Sequence, residues 1–324
     1  MLLFYKLTLK EDSIILFVYY LLSTYNNYIS TNNIPNKHIN NDRRFRDYGS
    51  LKAVLRSIDL YAPWINNVYL VVQSESQVPD WVNRDIVKIV LHEDFIPKEY
   101  LPTFNCNTIE THLHLIPGLS EKFIYFNDDT VLNNMNYPED YFIGDKCVNY
   151  IICTNTDRII NNDSIFYQSL RFSNTHKLYK TIGTELSYTY FNSHGPTPLL
   201  KSVCAEIYNK ININPHISAF REKTNLTQEL FTIYALYRRK LILLKNSRNR
   251  NYTLNKSSGG IIPSYIDEFK LFFLDNDKYK TICVNDVFEN DDIQDINILL
   301  DEIRNILNIK FNKMSKYENS SMCN

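Results

Sequence analysis

The sequence predicts an α/β fold in which a mixed, partly parallel sheet is flanked by helices. Amphipathic helical runs alternate with short β-branched runs through the first half of the chain, and such alternation signals a sheet that is parallel in part. One of these runs, Phe123 to Phe126, stops abruptly at Asn127, Asp128 and Asp129. Carboxylates then stand at the end of a sheet strand, where open α/β folds hold their ligands.

In chain order, Ile14 to Leu22 reads as a strand or a buried helix. It is far shorter than the ~20 apolar residues a membrane span needs, and Lys10, Glu11 and Asp12 precede it. No small-residue cleavage site follows, which disfavours a secretory signal. Residues 23 to 43, rich in Asn, Thr, Ser and Tyr, read as a solvated loop. Leu51, Val54, Leu55 and Ile58 then mark one helical face, with Pro63 just beyond its end. Val68 to Val72 and Ile86 to Leu91 read as buried strands. Thr108 to Ile116 reads as a helix with Ile109, His112 and Ile116 along one face, broken by Pro117 and Gly118. The second half holds a polar stretch around 154 to 180, helical patterns near 199 to 211 and 226 to 240, a Gly-Gly loop at 259 to 260 and a last helix over 292 to 309. Three parts are expected: an N-terminal element and loop (1–43), a core α/β region (44–150) and a C-terminal part that completes the site (151–324).

The 324 residues suffice for a sizeable core, and 35 basic against 36 acidic residues give a formal charge of -1. No overall field attracts nucleic acid, so partners are recognised locally. The six cysteines form no Cys-x-x-Cys pair and do not alternate with His at zinc spacing, so buried free thiols are expected. A cytoplasmic or membrane-peripheral location is the expectation, with a secretory lumen as the alternative.

Asp128 and Asp129 are hard oxygen ligands of the kind magnesium or manganese prefers; the plainer reading is a turn after a buried strand. Arg44, Arg46 and Asp47 offer either a guanidinium fork for phosphate or a solvated charge run. His194, in the loop-like SHGPTPL segment, is either a proton carrier or incidental. Glu110 shares a helix face with His114 but not with His112, which argues against a Glu-His-His metal cluster. Arg221 either clamps phosphate or pairs with a surface acid, and Asn285 with Asp286 are ligands or a turn.

Together these segments resemble the Stealth family of sugar-phosphate transferases, which contains bacterial capsular polysaccharide phosphotransferases and the N-acetylglucosamine-1-phosphotransferase of lysosomal targeting. The resemblance is carried by RFRDYGSLKAVLRSIDLYAPWINNVYLVV, QVPDWVN, LHEDFIP and LPTFNCNTIETHLHLIPGLSEKFIYFNDD within residues 44 to 132. It continues more weakly in SHGPTPLL, in Phe220-Arg221 within a helical context and in ICVNDVF. It implies a fold of nucleotide-sugar transferase type. The implied reaction moves a hexose or N-acetylhexosamine 1-phosphate from a UDP-sugar to a glycan hydroxyl, with UMP leaving and Mg2+ or Mn2+ as cofactor.

By position, Asp128, Asp129 and Asp286 are implied metal ligands, and Glu110 orients the metal site or the donor. Arg221 holds phosphate, and His194 is the acceptor's base. Arg44, Arg46, Asp47, Asn105 and Asn127 bind substrate. Three positions depart from the family pattern. SIILFVYYLLST has neither the acid nor the Trp of the family's opening strand, Asn225 stands where an acid is usual, and the acid often found near Ser50 is absent. These departures leave two rivals open: a metal-dependent glycosyltransferase that releases UDP, and a non-catalytic descendant that binds sugar or a partner protein.

Overall fold

The computed structural model describes residues 14–18, 48–155, 183, 188–192, 195–245, 247–254, 262–275, 278–286 and 293–319. The expected loops at 23–43 and 259–260 and most of the polar stretch lie outside these residues. In the first half the elements are β1 (Ile14–Val18), α1 (Ser50–Tyr61), β2 (Asn67–Val72), β3 (Val87–Leu91), α2 (Cys106–His112), β4 (Lys122–Tyr125), β5 (Thr130–Leu132), β6 (Phe142–Ile143), β7 (Lys146–Asn149) and β8 (Ile151–Asn155). In the second half they are β9 (Tyr188–Asn192), β10 (Thr197–Leu200), α3 (Lys201–Lys210), α4 (Glu229–Tyr237), β11 (Leu241–Leu243), β12 (Asn249–Leu254), α5 (Ile262–Leu274), β13 (Thr281–Asp286) and α6 (Ile293–Lys310).

The main sheet has the order β10-β4-β1-β2-β3. Strands β4, β1, β2 and β3 run parallel, and β10 is antiparallel on the outside of β4. The expected α/β class with a partly parallel sheet is therefore present. The first apolar run resolves as a strand, and a central one: Leu16 lies in register with Tyr125 on one side and Tyr69 on the other.

Helix α1 forms because its apolar positions fall on one face. Leu51, Val54, Leu55 and Ile58 are all buried, and their burial is the main force holding so short a helix. Gly49 precedes it with φ 80°, a left-handed conformation that glycine adopts without strain. An added Cβ there would press on Arg304 Cγ at 3.3 Å. At the far end Pro63 cannot continue the hydrogen-bond ladder. The buried Ser57 hydroxyl accepts from the Leu132 amide at 3.0 Å, tying α1 to β5.

Two strand sets extend this core toward the site: β12-β13-β5, and β11-β7-β6. Cys147, Cys204 and Cys283 are buried free thiols and Cys106 is a partly exposed one, as expected of cysteines without metal spacing. Two expectations need correction. TPLL, read within a loop, is the edge strand β10. Phe220 and Arg221, read in a helical context, lie in the irregular connection between α3 and α4. Among the described residues no helix is long and apolar enough to cross a membrane.

Candidate active site at the carboxyl end of β4

Strand β4 delivers its residues to the site through two-residue alternation, which puts Tyr125 and Asn127 on the same side. The Tyr125 hydroxyl lies 2.9 Å from Glu110 Oε1 and 2.7 Å from Asn127 Oδ1. It has one proton to donate. When Glu110 is protonated, its own proton can pass to Tyr125 while Tyr125 donates to Asn127, so all three groups are satisfied.

Burial favours that protonated form. Glu110 is enclosed between α2, β4 and the start of α4, and its pKa is pushed up to about 7, first by desolvation and then by the Glu229 carboxylate. The Tyr125 hydroxyl, the Arg221 guanidinium and the Cys106 thiol act against this rise. Arg221 itself donates to Cys106 Sγ. Glu110, Asn127 and Arg221 thus lie in one neighbourhood with Tyr125, Cys106 and Glu229. Tyr125 was detectable in principle, since the strand period that aims Asn127 aims it too.

A carboxyl whose folded pKa exceeds the ordinary 4.5 contributes stability that is complete below about pH 4.5 and is lost as pH rises to about 7. At 1.4 kcal/mol per pH unit the loss is about 3 kcal/mol. Glu110→Gln keeps a donor toward Tyr125 without the ionisation. It is expected to melt higher than wild type at pH 8 and to show no gain at pH 4, as read by thermal denaturation across pH. Parallel melting curves for the two proteins would sink this account.

Asp128 and Asp129 follow in the turn to β5 and are half-buried. The Thr130 hydroxyl lies 3.2 Å from Asp129 Oδ1. Beneath them the Cys283 thiol is pushed well up, first by burial and then by the Asp129 charge, so it stays neutral. Strand β13 runs antiparallel to β5, with Cys283 opposite Thr130 and the Val284 amide donating to the Asp129 carbonyl at 2.8 Å. The strand continues through Asn285 to Asp286, so its end passes alongside the Asp128–Asp129 turn. The Asp286 side chain is not among the described ones. Tyr48, next to Asp47 in the chain, donates its hydroxyl to the Val284 carbonyl at 2.6 Å. Arg44, Arg46, Asp47 and His194 lie outside the described residues.

Asn105, expected to touch substrate, is fully buried and occupied within the chain. Its carbonyl oxygen caps α2 by accepting from the Asn107 amide at 3.1 Å. Its amide nitrogen donates to the Ser218 and Phe220 carbonyls and to Asn225 Oδ1, at 3.1, 3.2 and 2.9 Å. Asn225 Oδ1 also accepts from the Glu222 amide, while its nitrogen donates to the His216 carbonyl and to Ser218 Oγ. The two amides hold the irregular segment that carries Arg221 against the helix that carries Glu110. Asn105 is thus a positioning residue.

His112 and His114 belong to the packing. His112 Nδ1 is 2.6 Å from the Thr108 carbonyl, and His114 stacks edge-on against Tyr208 and Phe231. Burial lowers both pKa values, His114 to about 4, so both are neutral at physiological pH. Among the described side chains no group of three His, Cys, Asp or Glu is placed to hold a metal.

Residues 44–150 match the family described as Stealth protein CR2, conserved region 2. The capsular polysaccharide phosphotransferase WcwK of Streptococcus pneumoniae is 30% identical over 286 residues, covering 81% of this chain and 84% of that protein. The exopolysaccharide phosphotransferase cps2G of Lactiplantibacillus plantarum is 29% identical over 313 residues, covering 87% of this chain and 88% of that one. Among solved structures, a galactosyltransferase in complex with donor and acceptor sugar analogues overlays with a TM-score of 0.39 at 10% identity, covering 92% of this chain and 95% of that one.

Proposed function

This chain belongs to the Stealth family of polysaccharide phosphotransferases, and on that premise we propose that it transfers a hexose or N-acetylhexosamine 1-phosphate from a UDP-sugar to a glycan hydroxyl. The acceptor oxygen attacks the sugar-bearing phosphorus. The bond from that phosphorus to the bridging oxygen breaks, and UMP leaves with the electron pair. A phosphodiester forms, and the anomeric bond stays intact.

The observation that supports this most is the convergence of Glu110, Tyr125, Asn127 and Arg221 at the strand end that also bears Asp128 and Asp129. A dianionic diphosphate needs cationic and polar groups fixed in advance around it. Arg221 supplies the cation, held by its bond to Cys106 Sγ. Asn127, oriented by Tyr125, faces the same strand end and contacts substrate. Arg44, Arg46 and Asp47 bind the donor, with Tyr48 anchoring the chain just after them. His194 takes the acceptor's proton.

The donor set fits a hard divalent cation, because Asp128 and Asp129 are half-buried carboxylates with the Asp286 strand end beside them, and the Cys283 thiol beneath them is buried and neutral. Mg2+ or Mn2+ held there would neutralise diphosphate charge as it shifts to the leaving oxygen.

The test is product identity. Purified protein is incubated with UDP-N-acetylglucosamine or UDP-glucose, a glycan acceptor mixture and Mg2+ or Mn2+, with and without chelator. Chelator-sensitive UMP is the expected product. UDP would replace this reading with glycosyl transfer, and donor binding with neither product would replace it with a non-catalytic descendant.

A further inference from the structure

A second concave site lies beyond β10, built by the loop end of β7 and the starts of β12 and β13. It is an open concavity lined by Asn136, Asp140, Tyr150, Arg248, Asn249 and Lys280, with Pro196 at its edge. Its charge is unbalanced, since Arg248 and Lys280 both pair with the single carboxylate of Asp140. Arg248 engages Asp140 through Nη1, which leaves Nε and Nη2 as a planar pair of donors without a partner among the described residues. The Tyr150 ring is half-buried at the rim. The Asn136 amide is fixed by the Tyr141 hydroxyl, donated at 2.9 Å, and Asn249 by the Thr281 hydroxyl at 2.6 Å.

This cleft is joined to the active site by two routes. Pro196 directly precedes Thr197, which lies in register with Tyr125. Lys280 directly precedes β13, and Val284 of that strand bonds the Asp129 backbone. At ~3.3 Å per strand residue, the four residues from Lys280 to Val284 set the Lys280 side of the cleft about 13 Å from the Asp128–Asp129 turn, while Pro196 marks its nearer edge. That separation is too long for the donor phosphates and suits a sugar of an extended acceptor lying beyond the reacting one.

We propose that this cleft is an acceptor subsite that takes a saccharide unit bearing an anionic group, phosphate or carboxylate, through Arg248 with Tyr150 against the sugar face. A guanidinium with two parallel donors exposed matches either anion. The half-buried aromatic rim beside it completes a surface suited to one face of a sugar ring. The assignment rests on the glycan acceptor proposed above, but its test needs no turnover.

The full-length protein is screened, without donor, against a panel of neutral, phosphate-bearing and uronate-bearing oligosaccharides, beside Arg248→Gln and Tyr150→Ala. Binding of anionic members at least tenfold tighter than neutral ones is expected. That preference should vanish in Arg248→Gln, and all binding should weaken about tenfold in Tyr150→Ala, each variant melting as a folded protein. The two anion classes distinguish phosphate from carboxylate as the natural group. No glycan bound, or a preference unchanged in Arg248→Gln, would overturn the subsite. Absence of UMP in the product assay would overturn the transferase reading and leave this result standing.

Discussion

An Asp129→Ala variant is expected to lose metal-dependent UMP release by about a hundredfold to a thousandfold, equivalent to ~3–4 kcal/mol of transition-state stabilisation. The side chain is half-buried in a turn, and the backbone bond between Val284 and the Asp129 carbonyl does not depend on it. The fold should therefore survive, with melting within about 1 kcal/mol of wild type. A second readout separates metal loss from general damage. Mg2+ or Mn2+ at a hundred times its dissociation constant should stabilise wild type by about 2.7 kcal/mol, a shift the variant should lack. Activity within threefold of wild type, with the metal-induced shift retained, would remove Asp129 from the proposed site.

The second large effect is expected on stability, at Asn105. If this residue were only a helix cap, Asp would replace it at almost no cost, since the two residues cap equally well. The structure requires more of it. Its nitrogen shares two protons among the Asn225 side-chain oxygen, in a buried bond, and two carbonyls in part-buried ones, all within 3.2 Å. A carboxylate there would face three oxygens with no proton to offer. Asn105→Asp is expected to cost about 3 kcal/mol or more, the range for an unpaired buried charge. Asn105→Ala, which loses the cap and the amide bonds without adding charge, should cost about 2 kcal/mol. Chemical denaturation of the three proteins gives the order directly, and Asp as mild as wild type would show that capping is all Asn105 does.

The same geometry explains Asn225. An acid there could accept from the Glu222 amide but could not donate to the His216 carbonyl. In this chain, with Asn105 opposite, the departure from the family pattern is part of a matched pair of amides. It does not by itself argue for lost activity.

Much of the fold was legible in the sequence because the elements that form the core announce their period. The α1 face, the apolar runs of β2 and β3, the strand before Asn127 and the last helix all appear within a few residues of their expected places. The misreadings have identifiable causes. A Gly, two prolines and polar residues made the segment around β10 look like a loop. Yet Pro198 sits opposite Ile124 in a strand at the sheet edge, where a missing amide proton is tolerated. The pattern around Arg221 suggests a helix, whereas its segment is fixed by the Asn105 amide, far away in sequence, together with the nearby Asn225, and no periodic pattern records such bonds. Glu110 was found by resemblance, but Tyr125 was passed over because an aromatic in a buried strand ordinarily signals packing.

Strand β1 is synthesised before any of its partners, yet it ends between β2 and β4. Without it the main sheet would divide into two ribbons, β10-β4 and β2-β3, each with an edge of unpaired backbone donors and acceptors. Such edges recruit other chains. Substitutions that dislodge this apolar segment are therefore expected to raise self-association of the chain, as read by light scattering.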